Sequence, residues 1–472
     1  MGEIAQLQGR IVSATEHGWC HAVRGGTGIA VLAILTSKSP EIPHFENALK
    51  KLQNSHPTLK CKLHSHTKSS RSTFSLLTSP PNFIKVKHFD LSSTFKILEN
   101  ISGSENQNLS PLHVLLEHEL NLNPWVKNSD NGIYDMFFAT TYALPNSKWV
   151  VVLRLHGVGC DRTTAISLLR ELQVVLVQEG EGGSGGGGRV EMQIENKGKI
   201  CLGMEDLIPD GKVKKTIWTR GVDMLGYSVN SLGLTNLKFK DAKSPRSSQV
   251  VRLQLNQDDT QKIIAGCKSK GIRLCGALGA AGLIAAQRSR SRIDKHRKYG
   301  IVTLIDCRSL LQPPLSPHQY GFYHSTILNT HVVKGKEKLW ELAEKVYTEF
   351  TNYKNDNRHF TDMADLSFLM CKAIDNPSLT PSSSLRTSIL SIFEDTVIHN
   401  SDDKGKDVVG LEDYMGCASV HGIGPSIGIF DTIRDGRLDC LCVYPSPLHS
   451  RDQMEEFVEK MKSVLVDGAN HI

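Results

Sequence analysis

Several things are missing from this chain, and each absence removes a class of function. No apolar run is long enough to cross a bilayer, which argues against a helical membrane span. No spaced cysteine framework is present: the eleven cysteines are scattered and odd in number, so they read as reduced thiols rather than disulfides. Cys440 and Cys442 are the closest pair, and no second pair completes a zinc pattern, so no metal is expected. Charge of one sign is also lacking. A formal +6 over 472 residues does not mark a nucleic-acid binder, although a local basic patch can still attract an anionic cosubstrate. Aromatic residues are sparse at 6%, which gives no sign of a stacking site. The opening Met1-Gly2-Glu3-Ile4 lacks the basic and apolar regions of a signal peptide, and Gln6 stands where a myristoylation signal wants Ser or Thr. A soluble, cytoplasmic protein is expected.

What is there is ordinary globular material. Hydrophobic residues make up 39% and charged residues 22%, enough for a core in each of two large domains, the natural division at this length. One break is plain. The glycine-rich stretch from Glu179 to Gly188 cannot pack a core and reads as a flexible connection. It lacks the Lys-Ser/Thr ending of a phosphate loop. The expected organisation is an N-terminal lobe over 1–178, a crossover over 179–215 and a C-terminal lobe over 216–472.

Periodicity fills in the lobes. Phe45, Leu49 and Leu52 fall at helical spacing and Pro57 stops that helix. Lys148 to Leu155 reads as a buried strand, followed by a short polar turn. Ala165, Leu168, Leu169, Leu172 and Leu176 then mark an amphipathic helix. In the second half, Val250 to Leu255, Arg297 to Asp306 and Arg437 to Tyr444 read as strands. Helices are expected from Asp258 or Asp259 to about Gly271, from Leu274 to about Ala286, from Lys338 to Phe350, and over Met454 to Leu465. Strands alternating with helices in both halves argue an α/β fold.

Several segments, in order, resemble the CoA-dependent acyltransferase superfamily of chloramphenicol acetyltransferase, condensation domains, alcohol acetyltransferases and plant BAHD enzymes. Phe45 to Leu63, with Ala48-Leu49 and His56-Pro57, is similar to the family's opening helix. Asn123-Pro124-Trp125 is similar to an element upstream of the active-site strand. Leu155-His156-Gly157-Val158-Gly159-Cys160-Asp161-Arg162 resembles the active-site turn, usually written His-His-x-x-x-Asp-Gly. Leu253 to Ile284 and Ala418 to Leu465 resemble later segments. The Asp-Phe-Gly-Trp-Gly element of the plant branch is not found. The resemblance implies two chloramphenicol acetyltransferase-like lobes, each a mixed sheet with flanking helices, with an active-site channel between them. It implies a monomer with acyl-CoA as cosubstrate, no bound cofactor and a small-molecule acceptor with a hydroxyl or amine.

In such enzymes one imidazole takes the proton from the acceptor as it attacks the thioester carbonyl, a task suited to a group titrating near neutrality. The motif Asp, Asp161 here, holds the turn through a salt bridge. The register departs from the pattern: the catalytic position holds Gly157, His156 stands one residue earlier, and Arg162 replaces the motif glycine. Neighbouring residues leaving a strand point in opposite directions. Three readings follow. His156 serves from a rearranged turn; or another histidine supplies the base, His421 first and His324 second; or the site binds a ligand or catalyses something else. Cys160 as a nucleophile and His359, Asp362 and Asp365 as metal ligands are the weaker alternatives to core filler and a capped helix face. Gly422 and Gly424 read as turn formers.

Overall fold

Residues 9–68, 71–78, 83–101, 109–126, 132–180, 200–212, 233–290, 295–379, 384–399 and 410–471 are described by a computed structural model. The N-terminal half runs β1 (Gly9–Ile11), α1 (Ala14–Arg24), β2 (Thr27–Thr36), α2 (Ile42–Ser55), β3 (Cys61–Lys68), β4 (Arg71–Thr78) and β5 (Val86–Phe89). It continues with α3 (Leu91–Ile101), α4 (Pro111–Asn121), β6 (Ile133–Asp135), β7 (Phe137–Ala143), β8 (Trp149–His156) and α5 (Arg162–Gly180). The C-terminal half contains β9 (Ser247–Gln254), α6 (Gln257–Ser269), α7 (Leu274–Arg288), β10 (Arg297–Asp306), β11 (His324–Val333) and α8 (Leu339–Asn355). Then come α9 (Arg358–Thr361), α10 (Met363–Asp375), β12 (Arg386–Phe393), β13 (Val397–His399), β14 (Leu411–Val420), β15 (Gly424–Arg434), β16 (Arg437–Ser446) and α11 (Arg451–Ala469).

Helix starts follow local chemistry. Ser13 and Glu16 form a capping box ahead of α1, and Ser450 caps α11. α6 is capped by Asn256, whose side chain accepts from Asp259 N, so that helix starts before the two acidic residues expected to open it. β2 and β8 are almost wholly buried and form the centre of a five-stranded sheet in the order β14-β2-β8-β7-β5. Phe45 and Leu49 of α2 with Leu168 and Leu172 of α5 cover one face, and Leu115 and Leu116 of α4 cover the other. A small sheet, β1-β4-β3-β6, flanks it, and a seven-stranded sheet, β11-β10-β12-β15-β16-β9 with β13 on β15, forms the second lobe. Its core is closed by α7, α8 and α11.

The two-lobed α/β architecture matches the sequence reading, with one exchange it did not foresee. β14, from the C-terminal part of the chain, pairs antiparallel with β2, with Gly416 opposite Leu32 and Ala418 opposite Ala30. The lobes are therefore stitched by a strand, and the division at 215/216 does not separate them in space. Residues 181–199 lie outside the described residues, and with them nearly all of the glycine-rich connection. Among the described residues no helix is long and apolar enough to cross a membrane.

Candidate active site

β8 delivers the turn that carries the chemistry. His156 ends the strand, residues 157–159 form one tight turn, and α5 begins at Arg162. Alternation along the strand puts His156 and Gly157 on opposite sides. His156 is 0% exposed and meets the Trp125 ring edge-on with centroids 4.9 Å apart. Its Nδ1 accepts from Val158 N at 3.1 Å, and its Nε2 is buried without a hydrogen-bond partner. Burial pushes the imidazole down to about 3, with Arg24 adding to the effect. This ring is a neutral core group beside Trp125. Its placement, away from the cavity described next, does not suit the base role expected of it.

Between the two lobes lies a cavity of 150 Å³ whose buried walls are mainly apolar. Gly157, Asp161, Arg162 and His324 all border it; His156 and His421 do not. Gly157 borders the cavity with no room for a side chain: a Cβ there would stand 2.6 Å from the carbonyl oxygen of Gly28. Gly28 has φ +92°, a conformation natural only to glycine, so two glycines seal the place where the resemblance puts the catalytic imidazole.

Asp161 is the hub of the turn. Its Oδ1 accepts from Thr164 N (2.8 Å) and Arg308 (3.0 Å), and its Oδ2 accepts from Tyr323 N (2.8 Å) and lies 2.9 Å from Arg308. Burial would push its carboxyl up, but Arg308 and then His324 outweigh that and hold it well below the usual carboxylate range. The same loop is tied again by Asp161 N donating to Gly321 O at 3.2 Å and Thr164 Oγ1 donating to it at 3.0 Å.

His324, first residue of β11, is the histidine that this network presents to the cavity. It is 4% exposed, and its Nδ1 lies 3.1 Å from Asp161 Oδ2, at ion-pair distance but off the line of a hydrogen bond. None of the described residues bonds to its Nε2. It also borders a second cavity of 220 Å³, which Arg162 and Phe393 line as well. Arg162 stacks 4.3 Å over the Phe393 ring and is tied to Asp431 Oδ1 at 3.1 Å. The Arg at the motif's glycine position is thus a latch between α5 and β15.

His421 lies elsewhere. Its Nδ1 is 3.0 Å from Ser248 Oγ, and its Nε2 faces Gly26 so closely that a Cβ there would meet it at 2.0 Å. Burial, then Arg386, lowers it to about 4. Cys160 borders the cavity, but burial and Asp161 push its thiol up, away from the thiolate a nucleophile needs. His359, Asp362 and Asp365 are buried, and no group of three metal-ligating side chains comes together among the described residues. Sequence reasoning did not name Arg308. With 55 lysines and arginines, only the fold selects the one facing Asp161.

Residues 244–352, under a quarter of the chain, match the family model described as the phthiocerol/phthiodiolone dimycocerosyl transferase C-terminus; the match includes Arg308 and His324. No curated protein matches in sequence. Among solved structures, polyketide synthase associated protein 5 from Mycobacterium tuberculosis is similar, with TM-score 0.61 and 15% identity over 98% of this chain and 100% of that one. A trichothecene 15-O-acetyltransferase from Fusarium sporotrichioides gives TM-score 0.69 and 10% identity over 99% of this chain and 96% of that one. The epimerization domain from the third module of tyrocidine synthetase B gives 0.62 and 10% over 98% and 97%. At such identities the likeness is one of fold.

Proposed function

We propose, on the two-lobed fold that this chain shares with the CoA-dependent acyltransferase superfamily, that it moves an acyl group from an acyl-CoA thioester to a hydroxyl or amine. His324 is the general base in place of the missing imidazole at Gly157. The observation that carries this reading is the contact of His324 Nδ1 with Asp161 Oδ2 at 3.1 Å in a residue bordering both cavities. A carboxylate held ionised by Arg308 favours the Nδ1–H tautomer and leaves Nε2 to accept a proton. It also stabilises the imidazolium once formed. Contacts of this kind commonly tighten only when substrate is bound.

The step balances simply. The acceptor oxygen or nitrogen attacks the thioester carbonyl carbon while Nε2 takes its proton. The tetrahedral adduct collapses, the C–S bond breaks, and the departing sulfur recovers the proton from His324. No acyl-enzyme forms, in keeping with the raised Cys160 thiol. Two cavities meeting at one imidazole suit a donor and an acceptor arriving from different sides.

The test is release of free CoA thiol from a series of acyl-CoAs with a panel of alcohols and amines, using wild-type protein. Acceptor-dependent release supports the reading. No release with any pair, and no CoA binding by calorimetry, would overturn it in favour of a binding protein built on the same fold. Gly157 pressed on Gly28 is the observation that favours that second reading.

A further inference from the structure

Beside its apolar stripe, α5 carries a row of buried polar side chains. Asp161, just before the helix, Thr164, Ser167 and Glu171 follow at three- and four-residue spacing, so they share one side of it. Each holds a point of the segment that leads from Pro317 to His324. Asp161 Oδ2 accepts from Tyr323 N at 2.8 Å, and Thr164 Oγ1 donates to Gly321 O at 3.0 Å. Ser167 Oγ donates to Pro317 O at 3.0 Å, and Glu171 Oε1 meets His318 Nδ1 at 2.6 Å. From Asp161 to Glu171 the row covers about 15 Å of helix. Its last member is the most heavily tied. Glu171 Oε2 meets His56 Nε2 at 2.6 Å, and the His56 ring lies flat on that of Tyr320 with centroids 3.6 Å apart. Burial works against a charge on Glu171, but His56 and then His318 outweigh it and hold the carboxyl below its ordinary range. Buried polar groups cost free energy unless each is bonded, and here every member of the row has a bond to this one segment.

We propose that Glu171 is a positioning residue for the transfer step: through His318 and His56 it fixes the far end of segment 317–323 and so the place of His324 against Asp161. The inference rests on the proposed acyl transfer with His324 as its base. His324 follows Tyr323 directly, so a shift of the segment reaches the imidazole with no joint between. With Glu171 removed, Thr58 Oγ1 still donates to Tyr320 O at 3.0 Å and Arg308 Nη2 to Gln319 O at 3.1 Å. The segment therefore stays on α5 and loses register rather than order. A misplacement of about 1 Å at a reacting group can cost about 10²-fold in rate.

The test is steady-state CoA release by wild type, Glu171→Ala, Glu171→Gln and the double variant Glu171→Ala/His324→Ala, with acetyl-CoA binding followed by calorimetry. Glu171→Ala should lower kcat by about tenfold to a hundredfold while acetyl-CoA binds as before. Glu171→Gln, which keeps the size and one acceptor, should recover part of the loss. In the His324→Ala background the second change should have no further effect on kcat, because the group being positioned is gone; damage to the fold alone would add to it. Wild-type kcat in Glu171→Ala, a loss confined to KM, or an equal further loss in the double variant overturns the proposal. If Glu171→Ala does not fold, His318→Ala takes its place with the same expectations and the same refutations, since His318 is more than half exposed and its removal leaves Glu171 paired with His56. If wild type releases no CoA with any acceptor, the spectrum of protein carrying ¹⁵N-labelled histidine decides alone. A His324 signal, identified by its absence from His324→Ala, that moves in Glu171→Ala upholds the positioning and leaves only the acyl-transfer reading to fall. A signal that stays in place overturns the positioning.

Discussion

Replacing Gly157 by alanine asks directly why the usual imidazole is absent. The new Cβ would stand 2.6 Å from Gly28 O and 3.5 Å from Gly28 C, and main-chain atoms cannot rotate aside as a side chain would. The β2–β8 ladder holds this neighbourhood, with Ile29 opposite His156. Forcing an extra group into such a packed site typically costs about 1–3 kcal/mol. Both strands lie in the middle of their sheet, with no free edge to yield, so we expect about 2 kcal/mol for Gly157→Ala. Gly157→His should cost more and gain no activity, because the imidazole would enter a place already filled by Gly28. Urea unfolding followed by tryptophan fluorescence measures this, with Trp19 and Trp125 as reporters. A lower midpoint with an unchanged slope is the expected result. A Gly157→Ala protein as stable as wild type, or a Gly157→His protein with higher turnover, would refute the reasoning.

Three further outcomes follow from the same contacts. Arg308→Met leaves Asp161 buried without its main partner, which should cost about 3–5 kcal/mol in urea unfolding and abolish turnover. His156 is neutral and buried with its imidazole near 3, so in acid the unfolded chain binds a proton that the native chain refuses. Stability therefore falls as pH drops from about 6.5 towards 3, by roughly 2–3 kcal/mol between pH 6 and pH 4 for this one group. His156→Phe should flatten that part of the stability–pH curve and leave kcat unchanged; an unaltered slope would contradict its neutral, buried placement. His421→Ala should leave kcat unchanged, since that ring contacts Ser248 and Gly26 and does not border the cavity.

Much of the scaffold was legible because it is periodic. The strand read over Arg297 to Asp306 is β10 to the residue, and the small-residue helix from Leu274 runs only two residues past its expected end, to Arg288. Helix α5 and the strand before it fell where apolar spacing put them. The strand exchange was not legible, because nothing in Leu411–Val420 itself says that its partner is β2, nearly four hundred residues earlier. The site divides in the same way. Asp161 as the anchor of the turn followed from the motif, but the motif also drew attention to His156, whose direction depends on strand alternation at the last residue of β8. His324 lies 163 positions beyond Asp161 in sequence, and its approach exists only once β11 is laid beside β10. Composition cannot rank one of nineteen histidines.

The central claim is that the working imidazole has moved from the position of Gly157 to His324. It is tested most directly by steady-state CoA release with wild type, His324→Ala and His156→Phe, each checked for an unchanged melting temperature and unchanged acyl-CoA binding. The account predicts that His324→Ala lowers kcat by about 10²–10⁴ with little change in KM, while His156→Phe keeps wild-type kcat. A His324→Ala enzyme as fast as wild type, or a loss of that size in His156→Phe alone, would contradict it.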